Sequence, residues 1–204
     1  PLQGMVDRSP RVPYRVISVD AVPTDLPPPD PAEWLDIIRH HVDDIEAPFL
    51  KGLSRWLNVC WSEPSSDLLG VTRFELDPNE LMRRRRMRAP SGPVHIELHP
   101  ILVDDEALLA HTLVHELLHA AGLTDHNNRH YSLTEEIAPA PSLVDSPVLM
   151  RLRSAVLDGQ EIQKWLCTNC GVSWNRTTVS RPKRCPYCAR ATVIPHEPSV
   201  DDGQ

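Results

Sequence analysis

An α+β fold with a small metal-stapled domain at its C-terminal end is predicted by three observations. Helical and strand-like patterns follow in the order α, β, β, β, α, then irregular chain and one more helix. An almost wholly apolar helical run from Ala107 to Ala121 carries His115, Glu116 and His119 at its centre. Four cysteines stand as two Cys-x-x-Cys pairs near the end. With 204 residues, 41% of them apolar, the chain can bury one substantial core and a satellite.

Residues 1–29 read as a flexible arm, because Pro10, Pro13, Pro23, Pro27, Pro28 and Pro29 crowd it. A body is expected over 30–158. Asp30-Pro31-Ala32-Glu33 has the layout of a helix start: a capping carboxylate, proline in the first turn and a glutamate in capping-box position. Trp34, Leu35, Ile37, Ile38, Val42 and Ile45 continue as an apolar stripe up to Pro48, and Phe49, Leu50, Leu53, Trp56 and Leu57 suggest a second helical stretch. Three β-branched or alternating runs follow, 57–61, 70–76 and 94–98, separated by Pro, Ser, Asp and Gly. Arg83 to Arg86 and Arg88 fall between two of these strands and read equally as a solvated loop or strand edge and as a phosphate contact. Cys60 stands alone in an apolar stretch and is expected to be a buried small hydrophobe. Asp104, Asp105 and Glu106 suit the start of the apolar helix, the chain after Gly122 is read as irregular, and Pro147 to Leu157 reads as a further helix that includes Met150.

Positions i and i+4 share one helix face, so His115 and His119 can present two imidazole nitrogens to one tetrahedral ion. Leu108, Leu109, Leu113, Val114, Leu117, Leu118 and Ala121 leave few polar positions on that helix, so it is expected to be buried. A buried glutamate between two histidines is costly unless something pairs with them, and a metal serves all three. The pattern predicts zinc, with Glu116 as the base that takes a proton from water and passes it to a leaving amine. The third ligand stays open among His126, Asp125 and His130. Of these His126 sits best by position, and Gly122 lets the chain leave the helix in a left-handed conformation and swing back. Tyr131, His130 and His111 are candidate partners for an oxyanion, with His111 expected to be packed instead.

Cys167, Cys170, Cys185 and Cys188 place fourteen residues between two tight knuckles, the spacing of a zinc ribbon over 159–195. Four thiolates leave no corner for water, so this second zinc is structural and supplies much of the ribbon's folding energy. From Lys164 to Arg190 the segment holds six cations and no carboxylate. The chain as a whole carries −7, so everything outside that segment is at −13. A basic ribbon on an acidic body suggests a phosphate-binding face, with Arg176, Arg181, Lys183 and Arg184 as candidate nucleic-acid contacts. Trp165, Trp174 and Tyr187 are candidate stacking faces, at least one of them needed for the ribbon's own core. Residues 196–204 read as an acidic tail.

Leu57 to Ser62, Leu69-Gly70 with its strand, Ile96 to Leu98, His115-Glu116-x-x-His119-Ala120 and the closing four-cysteine ribbon together resemble the SprT-like family of zinc metalloproteases, over roughly residues 31–190. The resemblance implies a zincin-like metalloprotease core with a short β-sheet, zinc on three histidines, a catalytic glutamate and a link to DNA repair through cleavage of DNA-associated or DNA-crosslinked proteins. This chain departs from the family pattern at the third ligand, where Asn127 follows His126 and His130 stands at an aromatic position. Asp125 keeps a second resemblance alive, to the snapalysin-type arrangement. The expected partners are a protein substrate and single-stranded or damaged DNA. Two other readings remain: a nucleic-acid-binding adaptor with a non-catalytic core, and a peptidase unrelated to DNA. No run approaches eighteen apolar residues and the start lacks the layout of a secretion signal, so an intracellular address (cytoplasm, nucleoid or nucleus) and no membrane partner are expected.

Overall fold

The computed structural model describes residues 25–196. Most of the proline-rich arm and the acidic tail beyond His196 lie outside them. The chain is α+β and forms two compact units that divide between Val148 and Leu149.

In the first unit, helix α1 (Ala32–His41) starts where Asp30 Oδ1 accepts the Ala32 N–H at 2.9 Å. It buries Leu35 and Ile38. The stripe expected to continue to Pro48 breaks at Val42, which is extended. Asp43 captures the next turn, its Oδ1 accepting from the Ile45 and Glu46 N–H groups. Such side-chain capture competes with helix, and Ile45 ends up 70% exposed. The second expected helix is a single 3₁₀ turn, Leu53–Arg55, preceded by Gly52 at φ +83°. Phe49, Leu50 and Leu53 are nevertheless buried. The apolar spacing was right, and the left-handed residue among them prevents a continuous helix.

Strands β1 (Leu57–Trp61), β2 (Gly70–Phe74) and β3 (Val94–Leu98) form a sheet in the order β1-β3-β2. β3 is parallel to β1, with Val59 opposite Ile96, and antiparallel to β2, with Thr72 opposite Ile96. Val94, Ile96 and Leu98 send one face of β3 into the core. Cys60, expected to be buried, is half-buried because Val59 takes the inward position of β1 and its neighbours point away. Between β2 and β3 the arginine run is neither loop nor strand edge. It forms helix α2 (Pro78–Met87), capped by Asp77, whose Oδ1 accepts from the Asn79 and Glu80 N–H groups at 3.0 and 3.2 Å.

Helix α3 (Glu106–Ala120) is capped by buried Asp105, which accepts the Leu108 N–H at 3.0 Å and the Ser146 hydroxyl on its other oxygen. It packs against β2, β3 and α1. Its apolar faces are sealed by Leu113, Val114, Leu117 and Leu118. After Gly122, where the sequence predicts irregular chain, lies helix α4 (Asn128–Ile137), capped by Asn127 Oδ1 on the His130 N–H at 2.9 Å. Arg129 ties its first turn to the segment after α1, bonding both Glu46 oxygens at 2.9 and 3.0 Å and the His41 carbonyl at 3.1 Å. Helix α5 (Pro147–Asp158) begins at the division between the units.

The second unit has a three-stranded sheet in the order β5-β4-β6, from β4 (Lys164–Cys167), β5 (Ser173–Asn175) and β6 (Val193–Pro195), all antiparallel to β4. Its core is Trp165, Cys167, Cys185 and Val193, flanked by Ile162, Trp174 and Cys188. No helix among the described residues is long and apolar enough to cross a membrane.

Candidate metal centre

On α3, every residue from Thr112 to Ala120 is buried except His115 and His119, which with His111 form a half-buried stripe at spacing i, i+4, i+8. His111 is packed, as expected: its Nδ1 donates to the Ala138 carbonyl at 2.8 Å. His115 and His119 instead converge, Nε2 to Nε2, at 3.2 Å. After α3 the chain turns at Gly122, with φ +110°. A Cβ there would lie 2.9 Å from Pro48 Cδ, so both the dihedral and the space require glycine. The turn presents the Leu123 carbonyl to His119 Nδ1 at 2.8 Å. A carbonyl only accepts, so the proton of His119 is on Nδ1 and its Nε2 is a bare lone pair.

His126 comes back from the exposed loop 124–127 and closes the group, its Nε2 3.3 Å from that of His115 and 3.1 Å from that of His119. Three neutral imidazoles cannot all be hydrogen-bonded to one another across such a triangle. An ion about 2.1 Å from each nitrogen at tetrahedral angles would set them about 3.4 Å apart, close to what is seen. His130, on the first turn of α4, also belongs to the cluster. The ligating atoms of His115, His119 and His130 all lie within 4.8 Å of one another, a group that could hold a metal ion. Asp125 bears on His119 through its charge. Burial, above all, pushes His119 down to about 4 and His130 to about 3 and depresses His115 further, with the neighbouring histidines adding to it. All three are therefore neutral at physiological pH, the state in which an imidazole can bind a metal.

Glu116, the residue after His115 on α3, is buried. The Thr72 hydroxyl holds its Oε2 at 2.7 Å. Burial raises its carboxyl to about 7, against the opposing effect of the Thr72 bond. β2 reaches this spot because Gly70 has no side chain: a Cβ there would lie 2.7 Å from Thr112 Cγ2, 2.9 Å from Glu116 Cγ and 3.0 Å from Glu116 Oε1. Sequence reasoning missed Thr72 and the reason for Gly70, since both act on residues more than forty positions away. Tyr131, a candidate oxyanion partner, is 66% exposed.

In the second unit, Cys167, Cys170, Cys185 and Cys188 gather with their sulfurs within 4.8 Å, a second group that could hold a metal ion. Cys167 and Cys188 are 3.6 Å apart and Cys170 and Cys185 3.7 Å. Such distances exclude disulfides and match the edge of a four-sulfur tetrahedron, about 3.8 Å for a metal–sulfur bond of about 2.3 Å. The Tyr187 N–H donates to Cys185 Sγ at 3.4 Å.

The cationic residues divide into occupied and open. Arg176 is taken up by its own unit, donating to the carbonyls of Ile162, Thr178 and Val179 with its guanidinium 5.0 Å over the Trp165 ring. Trp165 is core and not a stacking face. Arg181 donates to the Val193 carbonyl and Arg184 to that of Ala189 at 3.3 Å. Lys183 and Tyr187 are exposed. On α2, Arg83 and Arg84 are paired with Glu80, while Arg85, which donates to Thr124 Oγ1 at 3.3 Å, lines with Arg86 and Arg88 an open cavity of about 390 Å³ that includes Ile45, Pro48 and Met82.

Comparison of the chain with protein-family models, with curated proteins and with solved structures returns no match, so its functional reading stands on sequence and geometry.

Proposed function

We propose that the chain is a zinc-dependent peptidase of SprT-like type, with a zincin-like core, zinc on His115, His119 and His126 and a second, structural zinc on the four cysteines. One observation carries the reading: three imidazole nitrogens 3.1–3.3 Å apart beside a buried carboxyl poised at about 7. A pair of spaced histidines alone would not supply the last of these.

Zinc at the three histidines would act as a Lewis acid, acidifying water and polarising a scissile carbonyl. The chain's own residues handle the proton. Glu116, with a pKa near the working pH, takes a proton from the attacking water and gives it to the leaving amine. Thr72 fixes Oε2, which leaves Oε1, on the side of Gly70, to carry that proton. β2 is an edge strand, paired among the described residues with β3 alone. An extended substrate segment can add to its outer edge, next to Glu116, through main-chain hydrogen bonds. Proteins associated with or crosslinked to DNA are the proposed substrates, with Arg181, Lys183, Arg184 and exposed Tyr187 as nucleic-acid contacts that raise their local concentration.

Purified protein should contain two zinc ions and cleave an unfolded protein. Glu116→Gln should keep both ions and lose cleavage by at least about a hundredfold. Equal cleavage by that variant would overturn the assignment of the base. Cleavage unaffected by single-stranded DNA would remove the nucleic-acid part while leaving the peptidase.

A further inference from the structure

His130 behaves unlike a packed core histidine. It is 1% exposed, and its Nε2 makes no hydrogen bond. Buried polar atoms in folded proteins are almost always partnered, and an orphan requires an explanation. Its surroundings supply one. The ring lies stacked on His119, with centroids 4.3 Å apart and planes at 26°, and edge-on to His115 at 4.5 Å and 75°. His115, His119 and His130 by themselves could hold one ion.

His126 approaches the same His115–His119 pair from the opposite environment. Its loop, residues 124–127, is exposed throughout, whereas His130 is held in place by the Asn127 cap and the Arg129–Glu46 pair beside it. The His126 and His130 ring centroids are 5.7 Å apart. Two third ligands are therefore available to one ion, one exposed on solvent's side and one buried on the core's side.

We propose that His126 and His130 are interchangeable third ligands of a single divalent ion on His115 and His119. His130 retains the ion whenever the exposed loop gives way to an incoming chain. The inference rests on the metal-centre reading above, and extends it from a fixed trio to a site with a reserve ligand.

Metal content and Co²⁺ absorption of the full chain test it, without reliance on activity. Wild-type protein should hold two ions, one with thiolate charge-transfer bands from the cysteine site and one with the weaker bands of a nitrogen site. His126→Ala should still hold two, the nitrogen site weakened roughly 10–100-fold against a competing chelator and its Co²⁺ bands shifted. His126→Ala combined with His130→Phe, which keeps a stacked ring without a nitrogen, should hold only the cysteine-bound ion. His126→Ala with His130→Gln gives the same answer should the phenylalanine perturb folding, as judged by circular dichroism. Loss of the nitrogen-site ion from folded His126→Ala alone would overturn the reserve ligand while leaving the metal centre standing. So would a double variant that binds as well as His126→Ala. A wild-type chain with no ion outside the cysteines would overturn the metal centre and this inference together.

Discussion

The Thr72 hydroxyl bridges two oxygens of one residue, lying 2.7 Å from Glu116 Oε2 and 3.0 Å from the Glu116 carbonyl oxygen. It joins the middle of the edge strand to the middle of α3, and it is the bond that holds the Glu116 carboxyl down against burial. Thr72→Val removes the donor at nearly constant volume. The Glu116 pKa should rise above its present value of about 7, so activity at neutral pH should fall and recover at higher pH. A pH–rate profile would show the acid limb displaced upward. An unmoved limb would mean that Thr72 has no hold on the proton-carrying group.

Burial of Glu116 also has a cost in the metal-free protein. Its carboxyl titrates at about 7 in the fold against 4.5 as the reference. Below pH 4.5 it is neutral in both states and costs nothing. Between the two values the unfolded chain releases the proton while the fold retains it, so stability falls as pH rises, and above 7 the loss is complete. Glu116→Gln escapes this loss. Urea unfolding of chelator-stripped protein should find the variant more stable by roughly 1–3 kcal/mol at pH 8.5 and by much less at pH 5.5. A bound divalent ion favours the carboxylate, so the gap should narrow when zinc is restored. A gap independent of pH would rule out titration of Glu116 as its source.

The neutral histidines give the opposite slope. Burial holds His119 and His130 at about 4 and 3 in the fold, below the reference value of 6.5. As pH falls below 6.5 the unfolded chain takes up protons that the fold refuses, so stability is lost progressively toward pH 4. Metal-free His130→Phe should have a shallower decline between pH 6.5 and 4 than the parent, measured by the same unfolding experiment.

Local patterns were the part of this structure legible in the sequence. β1, β3, α3 and α5 lie where periodicity, caps and prolines put them, because each depends on neighbours within a few residues. α2 too has a local signature: Asp77-Pro78-Asn79-Glu80 repeats the helix-start pattern of Asp30-Pro31-Ala32-Glu33, although the five arginines that follow carry no apolar stripe. α4 has a weaker stripe, Leu133 and Ile137, and its start depends on Asn127 capping at the end of an exposed turn. At the metal centre the i, i+4 pair and the cysteine spacing were visible. So was the return of His126 after Gly122; the burial of His130 was not, since it follows from how α4 docks through Arg129 on Glu46. Thr72 and Gly70 could be found only once β2 was known to lie against α3.

Gly70 is the point of closest approach between these elements. Its φ is ordinary, so what forbids a side chain is space: Thr112 Cγ2 at 2.7 Å and Glu116 Cγ at 2.9 Å from the Cβ position. Gly70→Ala should push β2 off α3, destabilise the protein by roughly 1–3 kcal/mol and reduce activity more than stability alone explains, because Thr72 and Glu116 move apart. Gly171→Ala is the contrast, with a left-handed φ of +71° and open space around it. It should cost about 1 kcal/mol of conformational strain and leave the Glu116 profile untouched. Equal effects of the two on the pH–rate profile would separate Gly70 from the Glu116 carboxyl.

The four-cysteine unit has a small core, in which two of the four fully buried members, Cys167 and Cys185, are themselves ligands. Trp165 and Val193 alone bury too little apolar surface to hold β4, β5 and β6 together, so folding here should depend on an ion that the four cysteines could hold. Cys185→Ser should lower metal content from two ions per chain to one and abolish the near-ultraviolet signal of buried Trp165. The nitrogen site, built wholly from residues before Val148, should keep its ion and its Co²⁺ spectrum. Cleavage of a free unfolded protein should then persist, while any enhancement by single-stranded DNA disappears with the unit that carries Lys183 and Tyr187. Retention of that enhancement in a chain whose second unit has unfolded would move the nucleic-acid contact elsewhere, with Arg85, Arg86 and Arg88 around their shared cavity as the next surface to mutate.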